Sequence, residues 1–586
     1  MQPPFVVLDF PASPSRGLGT LVFERPVRVL SAVSVDEVAG VLREADGEAA
    51  RGRHAVGFVA YEAAPAFDTA FSAHPGGAVP LAWFGVFDAP THDGAADDGS
   101  SATAAWHERS RPGEYADAIE RIHAAIGRGD VYQVNFTVRL DVDVDGDTAA
   151  LYRRLLLAQG PGYGAHIHTG RHEIISASPE LFFERRGTHI VTRPMKGTAR
   201  RGRWLDEDDR RAGALASSEK ERAENVMIVD LLRNDLGRIA ETGTVRVTKL
   251  FDVERRPTVL QMTSTIEASL RAGTSNAEIF GALFPCGSVT GAPKIAAASL
   301  IASLESTERG VYCGAIGHIA PRGESTFSVA IRTLTFDHAR RRAEYGVGSG
   351  ITWDSARAAE YDEVVAKAAI LTADLPTFDL LETLRLERGE YARLDRHLAR
   401  LEGSAAYFGF ASPRSLRDAA ERALRGHAAS AGQAPERVRV TVSPAGATRV
   451  DAAPLPEIQR DGAAPVSVAL AATPVKRHNR FLYHKTTHRT VYDRHRAEHP
   501  GAFDVLLWNE DGELTEFTIG NLVVELDGAR WTPPRECGLL GGVFREELLE
   551  RGEIHERVLR ADDLARATAI WLINSLREWV SIQSVH

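Results

Sequence analysis

The alternation of hydrophobic and polar positions predicts a mixed α/β chain. Apolar residues recur at helical spacing over residues 114–128, and the segment YQVNFTVRLDVDV that follows alternates as a strand does. Strand and helix patterns then succeed one another as far as Leu371. In LTADLPTFDLLETLRL a helical run ends before Pro376 and a new strand pattern begins, which indicates a domain boundary.

The pattern therefore predicts two domains. The first is a large α/β domain over residues 1–373, with an N-terminal subregion 1–110 and a core 111–373, and the second covers residues 374–586. Small and acidic residues crowd positions 88–113, which favours a surface loop or linker there. A shorter Ala/Gly/Pro-rich stretch, 451–465, is expected to join two lobes of the second domain.

Composition narrows the function classes. The 586 residues include 69 basic and 79 acidic side chains, and the net charge of -10 argues against attraction to nucleic acid phosphates. The three cysteines are widely spaced and never in C-x-x-C, so neither a disulfide framework nor a zinc cage is indicated. No signal peptide pattern and no apolar run of about 18 residues occurs. These features predict a soluble cytoplasmic protein without a membrane partner.

Acidic residues on two predicted helices suggest a cation site. In SSEKERAENVMIVDLLRNDLGR, Ser218 and Glu221 form a plausible capping box, and Glu224 lies beside an inward stripe expected at Ala223, Met227 and Leu231. A second helix, from about Ser355 to Leu371, carries three charged residues on one face, Glu360, Glu363 and Lys367. Magnesium suits such carboxylates, while a solvated helix face with intrahelical ion pairs is the alternative.

Two glycine-rich turns could bind an anion. YGVGSGITWDS and FPCGSVTGAPK each precede a predicted helix, and neither has the phosphate-loop spacing, so a carboxylate is the expected guest. Arg332, in what reads as one alternating strand FSVAIRTLTF, could bind a second carboxylate or be a surface residue. Lys196 in RPMKGT is a candidate nucleophile and Glu180 in SASPELFFE a candidate proton donor, although either could be a surface charge.

Together these segments resemble the chorismate-utilising enzymes. The matching segments cover roughly residues 115–371 in the family's order: GDVYQVNFT, SASPELFFE, RPMKGT, AENVMIVDLLRNDLGR, GSVTGAPK, RGVYCGAIGHI, FSVAIRT, GVGSGI and EYDEVVAKA. The resemblance implies a large chorismate-binding α/β sandwich. It implies that Glu224, Glu360 and Glu363 bind Mg²⁺. Residues implied to orient chorismate are Arg332, Thr290, Gly291, Tyr312, Gly348, Gly350 and Lys367.

Within this family, the lysine in the Pro-x-Lys-Gly-Thr motif makes the chain resemble the aminodeoxychorismate synthases, because the anthranilate enzymes carry alanine at that position. The implied mechanism is attack by Lys196 at C2 of chorismate, loss of the C4 hydroxyl with Glu180 as general acid, and entry of ammonia at C4. Gln261 stands where many relatives carry a histidine. No cysteine lies in a G-x-C-x-G turn, so ammonia is expected from a separate glutamine amidotransferase subunit or from ammonium.

The second domain contains a residue set that suits pyridoxal phosphate (PLP). FLYHKTTHRTVYD supplies Lys485, LLWNEDGELTEFTIGNLVVE supplies Glu516, and the segments TPPRECGLLGGVFREELL and IWLINSLREW supply two small-residue turns for a phosphate. Over about residues 378–580 these segments resemble the two-lobed class IV aminotransferase fold, and especially 4-amino-4-deoxychorismate lyase.

This second resemblance implies roles for further residues. Lys485 would bind the cofactor covalently and Glu516 would face its ring nitrogen. The implied phosphate ligands are Arg400, Val543, Phe544, Asn574 and Ser575. Thr383 would assist protonation of the leaving enol, so that pyruvate is eliminated and 4-aminobenzoate, a folate precursor, is formed. Class IV relatives are commonly dimers, which predicts a homodimer through this domain.

Three alternatives stay open on sequence alone. The chain could be a single-activity anthranilate or isochorismate/salicylate synthase with a degenerate second domain, or a non-catalytic metabolite sensor. The histidines of HIHTGRH, His166, His168 and His172, could indicate a metal, but no other ligand type stands at suitable spacing. We therefore expect these histidines on the surface.

Overall fold

The computed structural model describes residues 3–11, 20–91, 101–109, 112–372, 376–410, 412–455 and 465–586. The chain divides into two compact units. Unit 1 comprises residues 1–200 and 212–375, and unit 2 comprises residues 201–211 and 376–586. Among the described residues, no helix is both long enough and apolar enough to cross a membrane.

Unit 1 contains two large, mainly antiparallel sheets in its described part. The first has nine strands: β1 (Phe5–Asp9), β2 (Leu21–Glu24), β6 (Ala102–Glu108), β7 (Gln133–Gly146), β8 (Tyr163–His168), β9 (His172–Ser178), β15 (Gly291–Ala292), β18 (Thr333–Asp337) and β19 (Arg342–Ile351). The second has ten: β3 (Arg28–Ala32), β4 (His54–Val59), β5 (Ala82–Phe87), β10 (Leu181–Arg186), β11 (His189–Arg193), β12 (Met195–Arg200), β13 (Arg246–Arg255), β14 (Val259–Ser269), β16 (Ala315–Ala320) and β17 (Glu324–Val329).

Helices cover the outer faces of these sheets. They are α1 (Val35–Ala50), α2 (Pro112–Gly127), α3 (Thr148–Gln159), α4 (Leu205–Ser217), which begins within the 201–211 segment, α5 (Glu219–Gly237), α6 (Asn276–Leu283), α7 (Lys294–Leu304) and α8 (Arg357–Ala368). A core that includes Val6, Ile167, Phe58 and Ile316 joins the inner faces of both sheets. Two further cores pack helices against each sheet. The layers form the predicted α/β sandwich, because each sheet buries one face on the other and one on helices.

Unit 2 has two lobes. The first contains a four-stranded sheet, β20 (Leu380–Glu387), β21 (Glu390–Tyr391), β22 (Glu436–Val442) and β23 (Thr448–Pro454), packed on helices α9 (Leu394–Phe408) and α10 (Pro413–Ser430). The described part of the second lobe contains an eight-stranded sheet: β24 (Val466–Leu470), β25 (Val505–Trp508), β26 (Leu514–Phe517), β27 (Gly520–Leu526), β28 (Ala529–Thr532), β29 (His555–Glu556), β30 (Ala569–Asn574) and β31 (Glu578–Val585). Its helices are α11 (Thr490–Glu498), α12 (Val543–Glu550) and α13 (Ala561–Arg566).

The segment 201–211 is an integral part of unit 2 although it lies far from the rest of that unit in sequence. Trp204 is 6% exposed and belongs to a core cluster with Tyr483 and Leu507. The backbone carbonyl of Arg203 lies 3.1 Å from the Nε2 of His484, the residue before Lys485. The sequence-based limits placed this segment in the first domain, 1–373. Nothing in its local pattern shows that its side chains pack into the core of unit 2.

Several local expectations from the sequence are wrong. Residues 102–108 form strand β6, paired with β7, rather than a linker, because small side chains can still alternate along a strand that pairs through its backbone. Residues 92–100 and 110–111 lie outside the described residues. The stretch 451–465 does connect β23 of the first lobe to β24 of the second, but its residues 451–454 belong to β23, and residues 456–464 lie outside the described residues.

Two further expectations differ in position. The buried stripe of α5 runs through Asn225, Ile228, Leu232 and Leu236, whereas Ala223 is exposed, because the sheet lies on the next face of the helix. The histidines of HIHTGRH are buried and not on the surface, since β8 and β9 are interior strands of the first sheet. His166 pairs with Glu173 at 2.6 Å, and His172 with Asp337 at 3.5 Å.

Candidate active sites

One cavity in unit 1 brings together most of the first predicted site. Its lining includes Glu180, Lys196, Glu224, Tyr312, Arg332, Gly348, Gly350, Glu360, Glu363 and Lys367. These residues come from both sheets and from helices α5 and α8, so the sandwich architecture is what assembles them.

Lys196 is held at the edge of this cavity by strand β12. Its Nζ lies 3.4 Å from Oε2 of Glu224, and both side chains are mostly buried. The side-chain amide of Gln261 donates to the carbonyl of Gly197 at 2.8 Å, and the hydroxyl of Thr198 donates back to Gln261 at 3.0 Å. Gln261 therefore anchors the two residues that follow Lys196, and carries no proton that titrates near neutral pH.

Gly350 leaves room for the Lys196 side chain. A Cβ atom at this position would lie in steric conflict with the Nζ of Lys196 and the side-chain amide of Gln133. Gln133 is fully buried, and neither polar atom of its amide has a hydrogen-bond partner among the described residues. A buried amide without a hydrogen-bond partner lowers the stability of the folded state. A polar ligand group bound beside Lys196 could form hydrogen bonds with the Gln133 amide and remove this cost.

Glu180 has the properties of a proton donor near neutral pH. Burial raises the pKa of Glu180 to about 7, against the lowering effect of a hydrogen bond from Ser288. One carboxyl oxygen, Oε1, has no partner among the described residues. A carboxyl group with this pKa exists in both protonation states at neutral pH, as a general acid requires.

Arg332 is a partly buried arginine that lines the cavity and forms no ion pair with a described residue. It does not lie within a strand as expected, because β17 and β18 belong to different sheets and Arg332 sits at the crossover with a φ of 52°. Its burial lowers the pKa of Arg332. A carboxylate ligand would supply the missing counter-charge.

Besides Glu180, four glutamates line the same cavity, namely Glu221, Glu224, Glu360 and Glu363. Burial and the charge of Glu224 raise the pKa of Glu221. Lys367 pairs with Glu363 at 2.6 Å and donates to the carbonyl of Gly348 at 2.9 Å. No three His, Cys, Asp or Glu side chains of the described chain form a ready-made metal site. The oxygen donors nevertheless fit Mg²⁺, which commonly binds a few protein carboxylates together with water and substrate oxygens.

Thr290 and Gly291, which were predicted to orient the substrate, are not among the residues that line the cavity, but they directly follow its lining residue Val289. The hydroxyl of Thr290 donates to the carbonyl of Cys286 at 2.9 Å, and a Cβ at Gly291 would collide with the carbonyl of Gln133. Arg309 donates to the carbonyls of Val289 and Asn135, two cavity-lining residues, at 2.7 and 2.8 Å. This buried arginine joins the turn to strand β7.

A second cavity, in unit 2, assembles the other predicted site. Its lining includes Thr383, Arg400, Lys485, Glu516, Val543, Asn574 and Ser575. Burial and the nearby arginines Arg400 and Arg489 lower the pKa of Lys485 to about 8. Burial raises the pKa of Glu516 to about 8, and Tyr492 donates to its carboxylate at 2.8 Å. A lysine with a weakened proton affinity facing a buried carboxyl fits PLP, which joins an amine and presents a basic ring nitrogen.

The opposite end of this cavity suits a phosphate. Arg400 is held by Glu382 at 2.6 Å and donates to the carbonyl of Gly541 at 3.0 Å. His397 bridges Glu382 and the hydroxyl of Ser575, at 2.7 and 2.8 Å. Helix α12 begins at Val543 and Phe544, whose N–H groups precede the first intrahelical bond, so they are available to an anion.

Two parts of the chain match known protein families. Residues 91–373 match the family described as chorismate binding enzyme, and residues 379–585 match class IV amino-transferases. The chain joins a chorismate-binding domain to a class IV aminotransferase domain. Apart from residues 201–211, which belong to unit 2, the chorismate-binding match lies in unit 1, and the class IV aminotransferase match lies in unit 2.

Relatives of the chorismate-binding domain include two kinds of enzyme. Aminodeoxychorismate synthase component 1 of Klebsiella aerogenes is 41% identical over 265 residues, 45% of this chain and 58% of that protein. Anthranilate synthase component 1 of Streptomyces coelicolor is 39% identical over 282 residues, 48% of this chain and 55% of that protein. The chain thus spans just over half of the length of these relatives.

A solved structure supports the fold of the chorismate-binding domain. Anthranilate synthase component I from Streptococcus pneumoniae is similar with a TM-score of 0.54 and 26% sequence identity. The match covers 60% of this chain and 92% of that one. The prediction of a mixed α/β chain with these two domains is confirmed.

Several lining residues were not found from the sequence. In the chorismate-binding domain they include Asn135 and Ser288, and in the aminotransferase domain Tyr492 and three arginines, Arg437, Arg439 and Arg577. The polar residues at 133, 135 and 137 alternate along β7 and could have indicated a polar inner face. Ser288 and Arg577 lie in turns, where periodicity carries no signal.

Proposed function

We propose that the chain converts chorismate to 4-aminobenzoate in two steps. The chorismate-binding domain replaces the C4 hydroxyl of chorismate with an amino group, and the aminotransferase domain eliminates pyruvate from the resulting 4-amino-4-deoxychorismate. The observation that carries this proposal is Lys196, an amine in a cavity that also contains a buried acid with a pKa of about 7 and an unpaired arginine. The product of the first step is the substrate of the second.

In the first step, the unprotonated Nζ of Lys196 forms a bond to C2 of chorismate. The ring double bonds shift, and the C4–oxygen bond breaks as Glu180 donates a proton, so that water leaves. Ammonia then bonds to C4, the double bonds shift back, and the C2–nitrogen bond to Lys196 breaks. The net reaction consumes chorismate and ammonia and yields aminodeoxychorismate and water. Covalent catalysis divides one difficult substitution into two displacements.

Charged groups position the substrate for this step. Arg332 is suited to a carboxylate, because it lines the cavity and has no ionic partner in the described chain. Glu224, Glu360 and Glu363 would hold Mg²⁺, with Glu221 beside them. When bound, this ion supplies positive charge that neutralises a substrate carboxylate. Lys367 orients Glu363 and the Gly348 carbonyl.

In the second step, Lys485 removes the C4 proton of aminodeoxychorismate. Its pKa of about 8 leaves a usable fraction of neutral amine at neutral pH. The C3–oxygen bond then breaks, and the hydroxyl of Thr383 lies in the cavity to protonate the departing enol of pyruvate. When bound, PLP supplies the electron sink for this proton removal. Glu516 and Tyr492 would face its ring, and Arg400 and Ser575 its phosphate.

An anthranilate synthase is the second candidate, because relatives of that activity are nearly as similar over the chorismate-binding domain. The lysine in Pro-x-Lys-Gly-Thr favours C4 amination over this alternative, since an amine nucleophile on the protein is what C2 attack requires.

Two partners belong to the same proposal. The relatives named as component 1 imply a second component, and a glutamine amidotransferase that releases ammonia fits that role. A homodimer through the aminotransferase domain also remains a prediction, which light scattering of the purified chain would test. We also propose that this reaction takes place in the cytoplasm.

Product analysis tests the function directly. The purified chain would receive chorismate, Mg²⁺, ammonium and PLP, and products would be identified by mass spectrometry, with Lys485→Ala in parallel. We expect 4-aminobenzoate and pyruvate from the intact chain and aminodeoxychorismate alone from the variant. Anthranilate, isochorismate or salicylate would contradict the role of Lys196. Accumulation of aminodeoxychorismate in both samples would contradict the lyase assignment.

A further inference from the structure

The cavity of unit 2 carries more positive charge than cofactor binding uses. Its lining contains a single carboxylate, Glu516, against six basic side chains, which are Arg400, Arg437, Arg439, Lys485, Arg489 and Arg577. Glu382 neutralises Arg400, and Arg489 donates to the carbonyl of Thr518 at 2.7 Å. Arg437, Arg439 and Arg577 form no ion pair with any described residue, so these three charges are available to a ligand.

Two of these arginines, Arg437 and Arg439, line the cavity from strand β22 and are exposed to solvent. Val438 and Val440 alternate with them and are buried in the core against α9 and α10. Arg437 and Arg439 therefore lie on the opposite face of the sheet. Arg439 is directly across from Thr383 on β20, the residue suited to protonating the leaving enol.

The neighbours of these arginines do not neutralise them. Asp451 lies opposite Arg439 on β23, but its carboxylate is 2.8 Å from the guanidinium of Arg449. Arg385 lies opposite Arg437 on β20 and adds a like charge, which is itself paired with Glu578 at 3.2 Å. The cavity face of the small sheet is thus cationic.

Arg577 approaches from the second lobe. It lies in the turn between β30 and β31, where its backbone N–H donates to the side-chain oxygen of Asn574 at 2.8 Å. Its Nε is buried and has no partner among the described residues. Burial lowers the pKa of Arg577. The positive charge of Arg437 lowers this pKa further, whereas the negative charge of Asp504 raises it. Two guanidinium groups that repel each other across a cavity form a site for an anion.

We infer that Arg437, Arg439 and Arg577 form a dicarboxylate-binding subsite beside the PLP position of unit 2. One carboxylate lies between Arg437 and Arg577, and the second binds Arg439 next to Thr383. This inference rests on the proposed function, whose intermediate carries a ring carboxylate and an enolpyruvyl carboxylate. A substrate with one carboxylate would leave at least one of these arginines without a counter-charge.

A pair of unreactive ligands tests the subsite. 3-(Carboxymethoxy)benzoate carries both carboxylates on an aromatic ring, and 3-methoxybenzoate has the same ring with only one. Each would be titrated into the full chain loaded with PLP, and binding would be followed by the cofactor's absorbance. This signal originates in unit 2 alone, so binding to the chorismate cavity does not contribute.

We expect the dicarboxylate to bind at least about tenfold more tightly than the monocarboxylate. Arg439→Gln and Arg577→Gln should each reduce that preference about tenfold or more, and Arg577→Lys should restore part of it. Arg425→Gln is the matched control, because Arg425 is an exposed residue of α10 that pairs with Glu421 and does not line the cavity. It should leave both affinities unchanged.

Equal affinity of the two ligands, or variants that retain the full preference, would overturn the inference. The product assay separates this result from failure of the proposed function. If the wild-type chain makes no 4-aminobenzoate but prefers the dicarboxylate in an arginine-dependent way, the subsite stands and the proposed reaction fails. If it makes 4-aminobenzoate without that preference, the reaction stands and the subsite fails.

Discussion

The Nζ of Lys196 lies 3.4 Å from a carboxylate oxygen of Glu224, so the proposed nucleophile and a proposed metal ligand form an ion pair. The lysine comes from strand β12 and the glutamate from helix α5. This contact holds the Lys196 amine beside Glu224, one of the glutamates that line the cavity.

Lys196→Ala should abolish amination of chorismate, because the alanine side chain has no amine to form the covalent bond at C2. The direct measurement is the mass of the protein after incubation with chorismate and Mg²⁺ in the absence of ammonium. We expect an adduct on the peptide that contains Lys196 in the wild type and none in the variant. Lys249→Ala is the control, since that side chain is exposed. Full activity of Lys196→Ala would rule out the covalent route.

Amination should slow as the pH rises through about 7. The pKa of Glu180 is about 7, and only its protonated form can donate to the leaving hydroxyl. Glu180→Gln should lower the rate about 10²- to 10⁴-fold, since the amide cannot transfer a proton. The measurement is the single-turnover rate between pH 5.5 and 9. A variant that keeps the descending limb near pH 7 would show that another group supplies the proton.

The raised pKa of Glu180 also makes the free energy of unfolding depend on pH. The folded state holds the Glu180 proton up to about pH 7, whereas an unfolded glutamate loses it near pH ~4.3. The folded state therefore binds more protons between these values, and this group's contribution to stability falls as the pH rises through that window. Glu180→Gln should flatten this part of the stability profile of unit 1, measured by denaturant unfolding. An unchanged slope would contradict the raised pKa.

Gly350→Ala should impair amination without unfolding unit 1. The added Cβ would compete for space with the Nζ of Lys196 and the amide of Gln133, both of which must move. We expect a loss of turnover of at least about tenfold, since displacement of a reacting group by about 1 Å can cost more than this. Gly213→Ala is the control, because a Cβ there meets no atom within 4 Å. Equal activity of both variants would contradict the close approach.

Trp204→Ala should loosen unit 2. This side chain is 6% exposed, and removal of a large buried aromatic side chain typically costs about 3–5 kcal/mol. Hydrogen exchange resolves the effect by segment: exchange should accelerate in Val505–Trp508 and remain unchanged in His54–Val59 of unit 1. Trp353→Ala is the matched control, as that side chain is 63% exposed. Unaltered exchange in unit 2 would exclude a packing role for Trp204.

Predictions from the sequence were most accurate where all residues of a motif lie on one helix or strand. Glu360, Glu363 and Lys367 do share helix α8 and line one cavity, because helical spacing fixes which side chains lie together. They were less accurate where partners come from distant elements. The buried stripe of α5 and the crossover at Arg332 depend on which sheet lies nearby, and local periodicity does not encode that.

The sequence by itself determined the two-domain α/β chain and identified the lysines and acids, because local spacing and motif order are properties of the chain. Only the tertiary structure decided that Gln133 lies unpaired beside Lys196, that residues 201–211 belong to unit 2, and that three arginines from two lobes share one cavity. These relationships join residues far apart in sequence. Burial and proximity set their charges and contacts, and both arise only when the sheets and helices pack.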